Sequence, residues 1–210
     1  MTYFLNVEAY PMTTALFIAL VTFAFISAFT PGPNNALLLA TGVNHGFRAA
    51  LPMILGVGFG FPFLILCIGL GLGQIFDNYP RVITVIKVAG TIYMLWLAYK
   101  IATSQPSEND STAATKPLNF MQGCAFQWVN PKAWIMGTYS ISAFILPGQF
   151  KVGLISVVGV YLFMGVTSAA TWAGFGVALK NLMNDPKWFR IINTSLAVAL
   201  VASIGLMLVD

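Results

Sequence analysis

Two long apolar segments of this chain are each interrupted near the middle by proline and asparagine. The first interruption reads Thr30-Pro31-Gly32-Pro33-Asn34-Asn35, and the second, roughly a hundred residues later, reads Asn130-Pro131-Lys132. A helix interior does not accommodate Pro-Gly-Pro, because each proline ring removes a backbone donor and clashes with the preceding turn. At membrane depth such a break persists only where it is buried in protein or lines a cavity. Both interruptions therefore mark non-helical backbone that is buried in protein or lines a cavity, and such a pair of breaks points to a transporter's substrate site.

The composition is that of an integral membrane protein. The chain is 58% hydrophobic and 8% charged, with a mean hydropathy of +0.83, whereas soluble domains carry about 25% charged residues. Its 210 residues accommodate about six helical spans of about 20 residues and leave no room for a large soluble domain. The net charge of +4 comes from basic residues between the apolar runs, which favours an orienting role in the lipid bilayer over nucleic-acid binding.

The apolar runs predict helices, because they are long and lack the alternation of strands. The first run, of about 33 residues or about 50 Å, is too long for an unbroken crossing without strong tilt, and the Pro-Gly-Pro break absorbs part of the excess. We therefore expect an all-α membrane protein forming a single transmembrane domain, 1–210. Its six predicted spans are approximately 12–44, 50–76, 82–103, 120–146, 152–180 and 189–208.

A polar stretch, Ser104–Pro117, divides the spans into two similar halves. The sequence predicts repeat 1 at about 12–103, a cytoplasmic linker at about 104–119 and repeat 2 at about 120–208. In each half the first of three spans carries the break and a glycine-rich span follows. Because three crossings are odd, the second half enters the membrane from the opposite face, which predicts two inverted three-helix repeats with broken first helices.

The basic residues predict the orientation, because cytoplasmic loops are enriched in Lys and Arg. The richer side is expected to be cytoplasmic, which places both termini, with Glu8 and Asp210, on the outer side. Lys87 lies within its span and can snorkel to either face. The richer side holds Arg48, Lys100, Lys116, Lys180, Lys187 and Arg190, and the poorer side holds Arg81, Lys87 and Lys151.

Residue counting places the two breaks at similar depth. Pro33 lies about 12 residues before the turn at His45, and Lys132 about 15 residues before Pro147, which corresponds to roughly 18 and 22 Å in a hydrocarbon core of about 30 Å. The half-helices beginning near Asn34 and Pro131 would attract an anion at their N-termini. The carbonyls of Phe29 and Thr30 and the amide of Asn130 would receive an ammonium group. This charge pattern fits a zwitterionic amino acid.

Lys132 is the one ionisable group that the predicted spans place near the midplane. A charge there costs at least about 2.5–3.5 kcal/mol on insertion scales, and a cation opposes the dipole at a helix N-terminus. We therefore expect Lys132 to serve an anion. The alternative is that its side chain snorkels to water or lies against backbone carbonyls. No acidic residue is placed to relay protons, so in proton-coupled transport Lys132 would be the expected carrier.

The candidate binding residues are those of the two breaks and the glutamine one turn before the second. The alternative role is structural: the prolines kink helices while Thr30, Asn34 and Asn130 satisfy freed backbone groups. Gly56, Gly58 and Gly60 lack the Lys-Ser/Thr of a nucleotide loop and predict close helix packing. The same packing is expected of Gly69, Gly71, Gly73, Gly174 and Gly176. No catalytic grouping, metal-ligand spacing or cofactor motif is present in the sequence. The candidates are Thr30, Pro31, Gly32, Pro33, Asn34, Asn35, Gln127, Asn130, Pro131 and Lys132.

Taken together, these motifs resemble the lysine exporter (LysE/RhtB) family of bacterial amino-acid translocators. The first interruption, the His45-Gly46 turn and Gly56 resemble the first half of that family. The remaining resemblance lies in Ala89-Gly90 with Tyr93, Trp96 and Leu97, and in Gln127 with Asn130-Pro131-Lys132. Two stretches, Trp96–Ser104 and Phe144–Pro147, are similar to the cysteine and O-acetylserine exporter subgroup.

The resemblance implies efflux of an amino acid or derivative across the bacterial inner membrane, driven by an ion gradient. A proton is the favoured coupling ion and sodium the alternative; homo-oligomerisation stays open. Neutral substrates, such as cysteine, O-acetylserine or homoserine-like compounds, are favoured because no midplane carboxylate would pair a cationic side chain. The competing classes are a small-solute channel, a non-transporting membrane assembly subunit, and an enzyme in which Lys132 forms a Schiff base with its substrate.

The predicted orientation can be tested by labelling single cysteines introduced at Glu8, Glu108 or Asp210, after Cys67 and Cys124 are replaced by alanine. A membrane-impermeant maleimide should label the cysteines at Glu8 and Asp210 in intact cells, and the one at Glu108 only after permeabilisation. The opposite labelling pattern would contradict the prediction that the side richer in Lys and Arg is cytoplasmic.

Overall fold

The computed structural model describes residues 12–72, 80–103, 117–180 and 185–208. Within these ranges every regular element is a helix and no strand occurs, which confirms the all-α prediction. The chain ends and most of the predicted linker, with Glu8 and Asp210, lie outside the described residues, as does Gly73. The helices are α1 (Thr14–Phe29), α2 (Pro33–His45), α3 (Phe47–Cys67, followed by a π-helical turn at Ile68–Leu72), α4 (Pro80–Ala102), α5 (Phe120–Val129), α6 (Pro131–Phe144), α7 (Phe150–Leu179) and α8 (Pro186–Leu208).

The first break separates α1 from α2, which meet at an angle of 54°. Gly32 is extended, and Pro33 is the first residue of α2, where its missing N–H removes no helical hydrogen bond. The second break is shorter, because Asn130 alone separates α5 from α6. Its side chain accepts a hydrogen bond from the backbone N–H of Lys132 at 3.1 Å, and Pro131 again opens the following helix.

Two described helices are long and apolar enough to cross a membrane: α3 with its π turn, and α7. The bent pair α1–α2 qualifies as a third, broken span. A shorter apolar stretch, Val88–Ala102, lies within α4, while Lys187 and Arg190 make the start of α8 polar. The six-span inverted repeat therefore stays a prediction.

The apolar core consists mainly of two clusters on either side of the breaks. One packs Leu20 of α1 against Leu64 of α3 and Val157 of α7. The other packs Leu38 of α2 against Met53 of α3 and residues of α7. Because α3 and α7 contribute to both clusters, they hold the broken helices from both sides.

Glycines allow the helices of the second cluster to approach backbone to backbone. A Cβ at Gly42 would collide with the carbonyl of Ala173, and one at Gly176 with the carbonyl of Leu39, so α2 lies directly on α7. The predicted packing role of the glycines of α3 is confirmed, because each of these three meets a neighbouring helix: Gly56 at Phe120, Gly58 at Val166 and Gly60 at Cys124.

Two glycines expected to pack in the same way do not. Gly174 of α7 faces open space. Gly71 also has no neighbour at its Cβ position and instead has a φ of +125°, a left-handed conformation that favours glycine. The spacing of glycines in an apolar helix therefore does not reveal which of them faces a neighbour.

The pair Gly174 and Gly176 supplies a matched stability test on one helix. Gly176→Ala should destabilise the protein by about 1–3 kcal/mol, because a methyl group there forces α2 away from α7. Gly174→Ala should be neutral or slightly stabilising, since alanine favours helix more than glycine does. Thermal unfolding in detergent would measure both. Equal melting temperatures for the two variants would contradict the described α2–α7 contact.

Candidate functional site

The two breaks are in direct contact through Lys132. Its Nζ donates a hydrogen bond to the carbonyl oxygen of Thr30 at 2.8 Å and lies 3.5 Å from that of Pro31. The side chain thus leaves the positive end of α6 and reaches carbonyls just beyond the negative end of α1. This geometry matches one of the alternatives inferred from the sequence, in which the Lys132 side chain lies against backbone carbonyls. The placement of the lysine at a helix N-terminus is stabilised by the other broken helix.

Asn35 closes the first break from the other side. Its buried side-chain amide donates to the carbonyls of Ala28 at 2.9 Å and Thr30 at 2.8 Å. Ser168 of α7 also donates to the Ala28 carbonyl, at 2.8 Å. The sequence-based alternative gave the task of satisfying freed backbone groups to Thr30, Asn34 and Asn130. The assignment is wrong for Asn34, because Asn35, Ser168 and Lys132 donate to the Ala28 and Thr30 carbonyls, whereas Asn130 does accept from a freed N–H at the second break.

The side chain of Asn34 pairs instead with Gln127 of α5. Asn34 Nδ2 donates to Gln127 Oε1 at 2.9 Å, and Gln127 Nε2 donates back to Asn34 Oδ1 at 3.1 Å. Gln127 is fully buried and donates a further hydrogen bond to the carbonyl of Gly123. This reciprocal amide pair joins the two broken segments at a second point.

A small cavity of about 50 Å³ lies where the broken segments meet α3 and α7. Its volume compares with about 30 Å³ for one water molecule, so it must expand to hold an organic ligand. Apolar side chains of α3 and α6, such as Phe61 and Met136, form part of its wall. Within the described part of the chain, none of its lining residues is acidic. The candidate residues that line it are Gly32, Pro33, Asn34, Asn35, Gln127, Asn130 and Lys132.

Three candidates do not line this cavity. The side chain of Thr30 bonds to the carbonyl of Ile26 on its own helix, so Thr30 contributes to the break through its carbonyl. Pro31 lines a second cavity, and Pro131 packs toward Gly90 of α4. Sequence reasoning also missed Ser27 and Ser168, which line the small cavity. The sequence feature that could have indicated them is a serine hydroxyl within an otherwise apolar span.

The two half-helix N-termini are not equivalent, although the sequence predicted an anion site at both. The start of α6 is capped by Asn130. The start of α2 follows Gly32 and has no side-chain cap, so the first N–H groups of α2 remain available to an anion. Two of the expected ammonium acceptors are occupied as well: the Thr30 carbonyl accepts from Lys132 and Asn35, and the Asn130 side chain accepts from the Lys132 N–H.

A second cavity of about 220 Å³ lies behind the first break. Gly32 lines both cavities, so its backbone forms part of the wall between them. A Cβ on Gly32 would lie 3.1 Å from both Cδ and Nζ of Lys132. The absence of a side chain at this position thus lets the lysine cross the break. The second cavity is otherwise lined by Pro31, Ala36, Trp172, Ile191, Ile192, Ser195 and Leu196.

Broken apolar helices that meet around a cavity lined in part by polar side chains are typical of helical membrane transporters. Residues 25–209 match the model of the LysE type translocator family, and the chain belongs to that family. It is a multi-pass membrane transporter. The family resemblance inferred from the sequence motifs is therefore confirmed.

Among its relatives is the cysteine/O-acetylserine efflux protein of Escherichia coli strain K12. It is 36% identical over 191 residues, which cover 90% of this chain and 96% of the relative. The protein of the same name from Shigella sonnei strain Ss046 has the same identity and coverage. No solved structure matches the chain.

The role of Asn35 can be tested against Asn44, an exposed asparagine on the same helix that bonds to its own backbone at Ala40. Asn35→Ala should lower the free energy of unfolding by about 1–2 kcal/mol, because two carbonyls of the break each lose a donor. Asn44→Ala should change it by less than about 0.5 kcal/mol. Thermal unfolding in detergent compares the two. A smaller effect at Asn35 than at Asn44 would contradict its assignment as the closing residue.

Proposed function

We propose that this protein exports a neutral amino acid or a small amino-acid derivative across the inner membrane by ion-coupled alternating access. The observation that carries the proposal is the Lys132 ammonium, held between the two breaks beside the small cavity and the uncapped start of α2. Family membership and the efflux function named for its relatives support the same direction of transport.

The substrate carboxylate would bind between Lys132 and the first turn of α2. A lysine ammonium has three donors, and two point toward the carbonyls of Thr30 and Pro31. The third donor and the N–H groups after Pro33 would then be left for the carboxylate, and Lys132 and Asn34 both line the cavity. A carboxylate there would meet both a cation and the positive end of a helix dipole.

Binding of the carboxylate would also release an acceptor for the substrate's own ammonium. As Lys132 turns toward the carboxylate, the Thr30 carbonyl loses one of its two donors, Lys132 and Asn35. The substrate ammonium can then take the position of the Lys132 ammonium. The Thr30 carbonyl can therefore bind Lys132 in the empty site and the substrate ammonium in the loaded site.

The cavity favours neutral substrates over cationic ones. A lysine or arginine side chain would bring a second positive charge close to Lys132, and the described lining offers no carboxylate to pair with it. Cysteine, O-acetylserine and homoserine-like compounds satisfy this condition. They agree with the names of the relatives, which specify cysteine and O-acetylserine.

A carrier fits the cavity better than a channel does. The cavity has room for only one or two water molecules, and the Asn34–Gln127 pair joins the two broken segments across it. Passage of a substrate then requires these segments to separate, as expected for two inverted repeats that rock about a midplane site. A proton is the favoured coupling ion, with Lys132 as its carrier, and sodium is the alternative. The site lies within one chain and leaves homo-oligomerisation open.

The role of Lys132 can be tested by Lys132→Met in proteoliposomes. The substitution keeps most of the side-chain length, so the protein should still insert, but transport efficiency should fall by about tenfold or more because a charge-assisted hydrogen bond is lost. Lys132→Arg should also be impaired, since a planar guanidinium does not replace a compact ammonium. The measurement is counterflow of labelled amino acids, with exposed Lys151→Met as the matched control.

Substrate analogues without a carboxylate distinguish two roles of Lys132: binding the substrate carboxylate, or holding the two breaks together. Wild-type protein should discriminate against amino-acid amides, which lack the carboxylate, and Lys132→Met should lose much of that discrimination. Wild-type transport by Lys132→Met, with unchanged dependence on the carboxylate, would overturn the assignment. The N–H groups after Pro33 would then become the leading anion site, and Asn34→Ala the next variant.

A further inference from the structure

A buried chain of three hydroxyl groups leads from the cavity into the apolar core. Tyr161 of α7 and Ser140 of α6 are both fully buried, and their hydroxyl oxygens lie 3.0 Å apart. The Tyr161 hydroxyl is also 3.4 Å from Ser27 Oγ on α1. Tyr161 is otherwise surrounded by an apolar cluster and packs edge-on against Phe61. A phenylalanine would fill the same space without burying a polar group, so packing alone does not explain the hydroxyl.

The hydrogen bonds give this chain a direction. Ser27 Oγ donates to the carbonyl of Ala24 at 3.2 Å, and a hydroxyl has only one proton. With the Ser27 proton on Ala24, the chain is satisfied when Tyr161 donates to Ser27 and Ser140 donates to Tyr161. This arrangement leaves Ser27 with a second lone pair for a donor in the cavity. Its long bond to Ala24, within its own helix, can also be exchanged for an acceptor in the cavity.

Most of the other polar side chains of the cavity are committed to protein partners. Asn34 and Gln127 are paired with each other, and the amide protons of Asn35 are both used. Ser168 donates to a backbone carbonyl of the break. Ser27 lines the cavity and keeps only the intrahelical bond as donor.

The position of Ser27 matches the size of a small amino acid. It lies three residues before Thr30, which is about 4.5 Å along the helix axis. A substrate held by its carboxylate and ammonium at Lys132 and Thr30 would direct its side chain along α1. An atom one or two bonds beyond Cβ would then come within reach of the Ser27 hydroxyl.

We infer that Ser27 is a specificity-determining residue that hydrogen-bonds a hydroxyl, thiol or ester oxygen on the substrate side chain, and that Tyr161, with Ser140 behind it, is its positioning residue. The inference rests on the proposed function and narrows it to amino acids with one small polar side-chain group. Apolar analogues of the same size are transported less efficiently, because they leave the Ser27 hydroxyl without this partner.

Two pairs of nearly isosteric substrates test the inference: cysteine against 2-aminobutyrate, and homoserine against norvaline. In each pair a methyl group replaces the thiol or hydroxyl. Counterflow into proteoliposomes should give wild-type protein a preference of about three- to tenfold for the polar member, the range of one neutral hydrogen bond. Ser27→Ala should bring the ratio close to one while transport of the apolar member continues. Tyr161→Phe should lower the ratio in part, and Ser27→Thr should restore it.

Matched controls separate recognition from damage to the fold. Tyr139→Phe and Ser142→Ala alter exposed residues of α6 and should leave both ratios at the wild-type value. Melting temperatures in detergent report folding of each variant, and structural damage alone would lower transport of both members equally. Such an equal loss, or an unchanged ratio in Ser27→Ala, overturns the inference.

The outcome in wild-type protein distinguishes the two proposals. If it transports both members of each pair at equal rates, amino-acid export stands and the role of Ser27 fails. If folded wild-type protein shows no saturable counterflow of any neutral amino acid, the proposed function fails and the inference fails with it.

Discussion

The hydrogen bond from the Lys132 ammonium to the Thr30 carbonyl is the contact on which the interior of this bundle depends. A broken helix leaves carbonyls without partners, and a lysine at the start of a half-helix faces a dipole of its own sign. Either feature alone is unfavourable in a membrane. Each satisfies the other here, because α1 ends where the side chain from α6 arrives. Gly32 permits the contact, since a side chain there would crowd the lysine.

The surrounding packing holds the breaks in place. Gly42 and Gly176 bring α2 against α7, and Ser168 of α7 bonds to a carbonyl of the break one turn before α2 begins. Asn35 bonds to the same carbonyl from within α2. The irregular backbone is thus fixed by rigid helices on one side and by the lysine on the other. A movement of α7 relative to the broken helices would therefore be transmitted directly to the cavity.

The positions of the breaks could be predicted because proline acts locally. Pro33 and Pro131 each begin a helix, within a residue of the sequence-based expectation. The partners of the asparagines could not be predicted in the same way. Whether Asn34 or Asn35 reaches the freed carbonyls depends on the rotation of α2 about its axis, which two adjacent asparagines do not reveal. The same ambiguity applies to α7, where Gly176 contacts α2 and Gly174, two residues earlier, faces open space.

The proposed exchange at Thr30 also bears on coupling. In the described geometry the carbonyl is satisfied by a cation from the protein, and under the proposed function a bound substrate would supply a cation of the same kind. The two arrangements place equal charge against the end of α1, so neither leaves an unpaired carbonyl in the membrane interior. An empty site with Lys132 turned away would leave the Thr30 carbonyl with Asn35 as its one described donor and the lysine ammonium without its carbonyl partner, and would cost more. Movement of the broken helices is therefore disfavoured while the site is empty and Lys132 has left the Thr30 carbonyl. Suppressing this movement prevents ions from crossing without substrate.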